Sequence, residues 1–444
     1  MKNELLKIHP SASLRGSVTL PGDKSLSHRA LLLAALADGT SHIRNCLKAG
    51  VTEAMIECLQ SLGVALEIEN GAFTGSADLT ITAQGMSGLT RPEKPLYCRG
   101  SATTLRLLAG VLAAQQFEST LDGNDRLRMR PMDRIVKPLQ QKGAVIRTAN
   151  GNAPLFFSPG RLNPSEHVLS VASAQVKSAL LLSGLFTEGK TLVFEPHKSR
   201  DHTERMLRIL GVPVSEWEEP KKGYAAEVTG PVERIPALDL KLPSDPSSAA
   251  FLVVAGLIVP DAELQLQDVC LNPHRTGLLD VLISMGANIR IEPSPDIHGE
   301  PTGNLYVKSS TLAASEIRGD TVTRMIDEFP IFAVAATQAT GITVISDARE
   351  LRLKESDRIS AVAEELTKME AKIDTKPDGL IIHGPVSLKG ADVDARGDHR
   401  LAMSLAVAGL TAQGETTIRG WRVLEDSFPH FPEMLRNLGA DVQW

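Results

Sequence analysis

The residues most able to do chemistry sit at short polar phrases that precede apolar, helix-like stretches. Six such phrases recur along the chain. They are Gly22-Asp23-Lys24-Ser25-Leu26-Ser27-His28-Arg29, Gly100-Ser101-Ala102-Thr103-Thr104, Ser173-Ala174-Gln175-Val176-Lys177, Ser244-Asp245-Pro246-Ser247-Ser248, Met325-Ile326-Asp327-Glu328 and Gly397-Asp398-His399-Arg400. Four more open a second set of helices: Arg128-Met129-Arg130-Pro131, Ser199-Arg200-Asp201-His202, Pro273-His274-Arg275 and Lys354-Glu355-Ser356-Asp357-Arg358. A helix start presents free N–H groups and the positive dipole end, so it favours anions. Serine, lysine and arginine added there supply donors and forks suited to phosphate and carboxylate. Taken singly, each phrase reads as an N-cap or a solvated charge. Their recurrence in equivalent places implies a substrate with several negative groups.

Other chemistries fit less well. Gly22-Asp23-Lys24-Ser25 lacks the glycine that a Walker loop needs directly before its lysine. No His-Glu-x-x-His, EF-hand or Gly-x-Ser-x-Gly pattern occurs, and the histidines lack metal-ligand spacing, so they read as structural. Cys46, Cys58, Cys98 and Cys270 are scattered, which argues against a zinc ribbon or disulfide framework and fits a reducing compartment.

The elements that must position these residues show as an internal repeat. A leucine, three residues and a glycine end a helix-like stretch at Leu59 to Gly63, Leu139 to Gly143, Leu207 to Gly211, Leu282 to Gly286 and Leu435 to Gly439. A sixth copy starts at Leu366 and carries Glu370 in place of the glycine. Glycine there reads as a left-handed C-cap. A helix rich in Leu, Ala, Val and Ser precedes each copy, at 28–39, 104–114, 175–189, 247–259, 328–341 and 399–414. The unit is about βαβαββ, six times over. It is longer than the roughly 20–45 residues of ordinary solenoid repeats, so two closed globes of three units each are expected. The break falls near Pro236 to Pro246.

Composition bounds the class. The chain has 444 residues, a formal charge of −6 and only 4% aromatic residues, which argues against nucleic-acid binding. No apolar stretch at the start resembles a signal peptide, and the run 249–259 is too short to span a bilayer. A soluble cytoplasmic protein without membrane partners is the expectation.

Leu20-Pro21-Gly22-Asp23-Lys24-Ser25-Leu26-Ser27-His28-Arg29 resembles the opening signature of the 5-enolpyruvylshikimate-3-phosphate synthases. The likeness runs in order through Arg128 to Arg134, Ser173 to Ala179, Ser199 to Glu204, Met325 to Glu328, Leu351 to Arg358 and Asp398 to Met403, ending at Ser427-Phe428-Pro429. It implies an α/β fold of two domains, each an inside-out α/β barrel of three βαβαββ repeats. The domains expected are 21–240, and 1–20 plus 241–444, with the active site in the interdomain cleft. The implied reaction moves the enolpyruvyl group of phosphoenolpyruvate onto the 5-hydroxyl of shikimate 3-phosphate through a tetrahedral intermediate, releasing phosphate. The resemblance implies a monomer, and neither metal nor organic cofactor.

It also implies roles. Lys24, Asp327, Lys354 and Glu355 form the catalytic set, with Asp327 deprotonating the hydroxyl and Lys354 and Glu355 moving protons. Ser25, Arg29, Ser173, Ala174 and Gln175 would hold shikimate 3-phosphate, with Ser199 or Arg200 at its phosphate. Lys24, Arg130, Arg358 and Arg400 would clamp phosphoenolpyruvate, and Ala102 and Glu350 would also contact substrate. Clustered cations would keep Asp327 ionised and ease proton loss from a lysine among them. The family's Gly-Asn-[Ala/Ser]-Gly-Thr loop reads Arg99-Gly100-Ser101-Ala102-Thr103, and a lysine seen in some members is Asp426. The Ala102 methyl would narrow the phosphoenolpyruvate pocket, so reduced glyphosate sensitivity is expected, as in the class II enzymes. The UDP-N-acetylglucosamine enolpyruvyl transferases share the fold, but their Lys-Asn signature and loop cysteine are not matched, and Cys98 reads as a buried hydrophobe. A non-catalytic sensor of phosphorylated metabolites would have no need of Asp327, Lys354 and Glu355 together.

Overall fold

The structure is a computed structural model and describes residues 5–444. Among the described residues the strands form six four-stranded sheets of one repeated design. In the second repeat, Leu96–Tyr97 runs parallel to Ser119–Asp122 across the helix Ala102–Leu112. The second helix, Asp133–Gln141, then leads into the antiparallel pair Val145–Ala149 and Asn152–Ser158, and Asn152–Ser158 returns to pair with Ser119–Asp122. The expected βαβαββ unit is this arrangement.

The chain divides into two compact units. One comprises Pro21–Leu242 and Ile297–Glu300; the other comprises the described residues up to Leu20, Pro243–Asp296 and Pro301–Trp444. We call them the N-terminal and C-terminal units. Each has its own apolar core. Three repeats borrow strands from far along the chain. Asp239–Lys241 supplies the parallel edge of the first repeat beside Asp38–Leu47. Leu5–Ile8 completes the sixth, lying between Thr416–Arg419 and Val442–Gln443. Arg15–Thr19 opens the fourth, parallel to Glu263–Cys270.

The two helix sets differ because their sequences differ. The first helices (Lys24–Ala35, Ala102–Leu112, Ala174–Gly184, Pro246–Ile258, Phe329–Gln338 and His399–Gly409) are apolar almost all round and are buried almost all round. The apolar run at 249–259 is one of them, and no helix among the described residues is long and apolar enough to cross a membrane. Close approach needs small residues: a Cβ on Gly110 would fall 2.2 Å from the Ala179 carbonyl oxygen of the neighbouring helix. The second helices carry one apolar stripe, as in Asp133–Gln141, where Ile135, Val136 and Leu139 are buried. Their terminal glycines 63, 143, 211, 286 and 439 all have φ between 78° and 107°, and Glu370 holds the sixth position at φ 65°. The left-handed cap is therefore kept even where glycine is not.

Candidate active site

Helix capping places the polar phrases. Asp23, Ser101, Ser173, Asp245 and Asp398 each accept a hydrogen bond from an amide in the first turn of their helix. Lys24, Ala102 and Ala174 thereby become the first helical residues of the three repeats in the N-terminal unit. Lys24 and Ser25 are half-buried, and Ala102 is 5% exposed. Arg130 follows the short helix Asp125–Arg128 and is half-buried. A side chain at Gly100 would meet the Asn124 amide, whose Nδ2 lies 3.2 Å from the Cβ position.

In the C-terminal unit the structure brings four expected residues together. Lys354 Nζ and Arg358 Nη1 each lie 3.5 Å from Asp327 Oδ1, and Arg400 Nη2 lies 3.8 Å from Asp327 Oδ2. Glu355 joins through Arg358, whose Nη2 donates to its Oε2 at 2.8 Å. Glu350 lies on the short 3-10 helix Arg349–Leu353 that precedes Lys354. Asp426 ends another such helix, Trp421–Asp426, and is exposed.

Several groups that bear on this cluster were not singled out as functional from the sequence. Asp398 is fully buried and grips Arg358 from two sides, accepting from Nε at 2.8 Å and from Nη2 at 3.2 Å. It also caps the last first-helix through the Arg400 amide at 2.9 Å and accepts from Ser356 Oγ at 3.0 Å. Burial works against both charges of the Arg358–Asp398 pair. Their mutual attraction outweighs it, so the guanidinium is pushed up and the carboxyl down. Aspartate before a helix was a legible cap; its second partner, from the fifth repeat, left no local signal.

Other helix-start residues are committed inside the protein. Arg29 is 3% exposed and donates to Thr203 Oγ1, the Ser25 carbonyl and Ser178 Oγ at 2.7 to 2.9 Å. Gln175 accepts from Arg106 at 2.6 Å and donates to Thr103 Oγ1 at 2.9 Å. The Ser199 hydroxyl donates to Glu195 at 2.6 Å. The fourth repeat departs furthest from the anion-site expectation. Arg275, 4% exposed, donates to Asp245 at 3.2 Å and to Ser247 Oγ at 2.9 Å, and Ser247 donates to Glu328. Glu328 in turn lies 3.8 Å from Arg400. Those residues brace the Asp327 cluster from within.

His28 is fully buried, 2.7 Å from the Lys24 carbonyl and 3.1 Å from that of Val51, and burial pushes it down to about 4. It is neutral at physiological pH and ties the first helix to the next segment. Cys98 is 0% exposed, and burial raises its thiol. Among the described residues no group of three His, Cys, Asp or Glu side chains is placed to hold a metal ion.

Six βαβαββ repeats in two units, with cationic helix starts around a carboxylate, define an enolpyruvyl transferase architecture. A solved enolpyruvyl transferase, NikO from Streptomyces tendae, shares this fold with a TM-score of 0.78 at 22% identity, over 99% of this chain and 98% of that one. The family model described as EPSP synthase (3-phosphoshikimate 1-carboxyvinyltransferase) matches residues 8–435, and the chain belongs to that family. The 3-phosphoshikimate 1-carboxyvinyltransferase of Bacillus cereus (strain ATCC 10987 / NRS 248) is 44% identical over 427 residues, covering 96% of this chain and 97% of the relative. That of Bacillus anthracis is similar to the same extent. The solved EPSP synthase from Acinetobacter baumannii is 38% identical, with a TM-score of 0.85 and 99% of each chain covered.

Proposed function

We infer that the protein transfers the enolpyruvyl group of phosphoenolpyruvate to the 5-hydroxyl of shikimate 3-phosphate, releasing phosphate, and that Asp327 is the base. Family membership supports the reaction. The observation that carries the residue assignment is the Asp327 carboxylate, met by Lys354, Arg358 and Arg400 within 3.8 Å. A carboxylate in that setting can accept a hydroxyl proton while its neighbours bind the anionic groups of the substrates.

The methylene carbon of phosphoenolpyruvate gains a proton, and the hydroxyl oxygen adds at C2 as Asp327 takes its proton. The tetrahedral intermediate then expels phosphate, which leaves with the proton taken up by Asp327, and loses a proton from the new methyl group, which restores the enol double bond. Lys354 and Glu355 supply and recover the carbon proton. Arg358 and Arg400 hold phosphoenolpyruvate with Lys24 and Arg130. Ser25, Ser173, Ala174, Gln175 and Arg200 hold shikimate 3-phosphate, and Glu350 lines the site. Arg29 joins them at shikimate 3-phosphate, three of its five N–H groups being spent on Thr203, Ser25 and Ser178, which fixes its place on the first helix.

The test is phosphate release from phosphoenolpyruvate with and without shikimate 3-phosphate, in wild type, Lys24→Ala and Asp327→Ala. Release that needs both substrates and collapses in both variants is expected. Binding without turnover in the wild type would leave a metabolite sensor instead.

A further inference from the structure

The first helix of the third repeat carries a lysine with no place in the chemistry above. Lys177 is 2% exposed, and its amide donates to the Ser173 carbonyl at 3.0 Å, one turn from the helix start. Its Nζ donates to Glu195 Oε1 at 2.6 Å and lies 2.8 Å from Glu204 Oε1. Glu195 and Glu204 are 1% and 0% exposed. Burial works against the Lys177 charge, but the two carboxylates outweigh it and push the ammonium up. A buried ion cluster of this kind is a poor stabiliser compared with apolar packing. What it supplies is geometry.

That geometry converges on Ser199. Glu195 Oε1 accepts from the Ser199 amide at 2.9 Å, Glu195 Oε2 accepts from its hydroxyl at 2.6 Å, and Lys177 Nζ donates to its carbonyl at 3.4 Å. All three polar groups of one 4%-exposed residue are therefore held by two side chains. An ionised carboxylate can only accept, so the bond to Glu195 uses the serine's hydrogen. A phosphate also only accepts. The Ser199 hydroxyl has no second hydrogen to give it. The next residue, Arg200, is half-buried at the end of the turn, directly before Asp201, the last residue ahead of the helix His202–Ile209.

We propose that Glu195, clamped by Lys177, is a positioning residue for shikimate 3-phosphate. It fixes the 196–201 turn through Ser199, so that Arg200 meets the phosphate and Ser199 is an anchor rather than a ligand. This rests on the function inferred above. Because Lys177 sits one turn inside the helix that begins at Ser173-Ala174-Gln175, the anchor sets the turn relative to that helix start.

Steady-state kinetics on the full chain test it, with Glu195→Gln, Ser199→Ala, the double variant and Arg200→Ala. Glu195→Gln and Arg200→Ala are each expected to raise KM for shikimate 3-phosphate about tenfold or more, the loss of one charge-assisted bond. KM for phosphoenolpyruvate should stay within about twofold, a split that general loosening of the fold would not produce. Ser199→Ala keeps its amide bond to Glu195 and should cost about threefold or less. The double variant should be no worse than Glu195→Gln, since both act through one contact. Ser199→Ala as damaging as Arg200→Ala, or additive with Glu195→Gln, would overturn the proposal. So would an unchanged KM in Glu195→Gln. Should that variant melt below the assay temperature, the comparison of Ser199→Ala with Arg200→Ala decides alone. Wild type without shikimate-3-phosphate-dependent turnover would instead defeat the functional reading.

Discussion

Replacing Lys142 by methionine should stabilise the protein at neutral pH. Lys142 follows the helix Asp133–Gln141, is 0% exposed, and donates its ammonium to the Thr191 hydroxyl, a neutral partner. Burial pushes it down from 10.5 to about 7. It also helps burial drive His167 down to about 4. The unfolded chain therefore binds more protons at this site than the folded one between pH 7 and 10.5, so stability rises with pH across that window. Above 10.5 the penalty is gone; below 7 it is complete. At ~1.36 kcal/mol per unit, the full shift amounts to about 5 kcal/mol as an upper figure. Loss of the Thr191 partner returns about 1 kcal/mol, and relaxation around the charge takes a further share, leaving a gain of about 2–4 kcal/mol. Methionine matches the volume and has no charge to bury. For a unit of this size the gain corresponds to a rise in Tm of roughly 5–15 °C at pH 7. Scanning calorimetry at pH 7 and at pH 10.5 reads both parts. A Lys142→Met protein that melts no higher than wild type at pH 7 refutes the buried-charge reasoning. A gain of equal size at both pH values would refute it too, since packing alone would then explain the effect.

Glu370→Gly should stabilise by about 0.5–1 kcal/mol, because it restores the residue that the left-handed cap favours; urea midpoints at unchanged slope check this. Asp398→Asn should raise KM for phosphoenolpyruvate at least about tenfold, since Arg358 loses its charged grip while the cap to Arg400 survives in part. The corresponding KM for shikimate 3-phosphate should move much less. Ala102→Gly should lower the glyphosate concentration needed for half-inhibition by about tenfold or more, as room is opened at the start of its helix. Equal inhibition of both forms would reject that account of the methyl.

The repeat was legible because its marks are local. A glycine needed at positive φ, an apolar helix and a polar cap each leave their sign within a few residues, and even Glu370 was visible as the odd member of its series. The borrowed strand at Leu5–Ile8 was not legible from its own residues, because its neighbours, Thr416–Arg419 and Val442–Gln443, lie at the other end of the chain. The site divides in the same way. Asp327, Lys354, Arg358 and Arg400 stood out by type and place, and they meet in the C-terminal unit. Whether a helix-start cation faces outward or is spent internally depends on its partner. Arg275 looked equivalent to Arg358, yet its Nη2 turns to Asp245 and Ser247, whereas Arg358 reaches Asp327. Ser199 stood out by type and place, and its hydroxyl donates to Glu195, a partner four residues back that gave no sign of that role.

The pairing of Leu5–Ile8 with Thr416–Arg419 has a consequence for synthesis on the ribosome. Residues 21–242 form a nearly continuous block whose sheets can close as soon as Lys241 has emerged. The strand Leu5–Ile8 has no such fortune. It stays without its partners until Arg419 and then Gln443 are made, which at about 5–20 residues per second means tens of seconds with an unpaired, apolar segment exposed. Contacts of that sequence separation also close slowly. This early strand is therefore late to fold, and substitutions in Leu6 or Ile8 should show first as poor yield and aggregation rather than as altered catalysis.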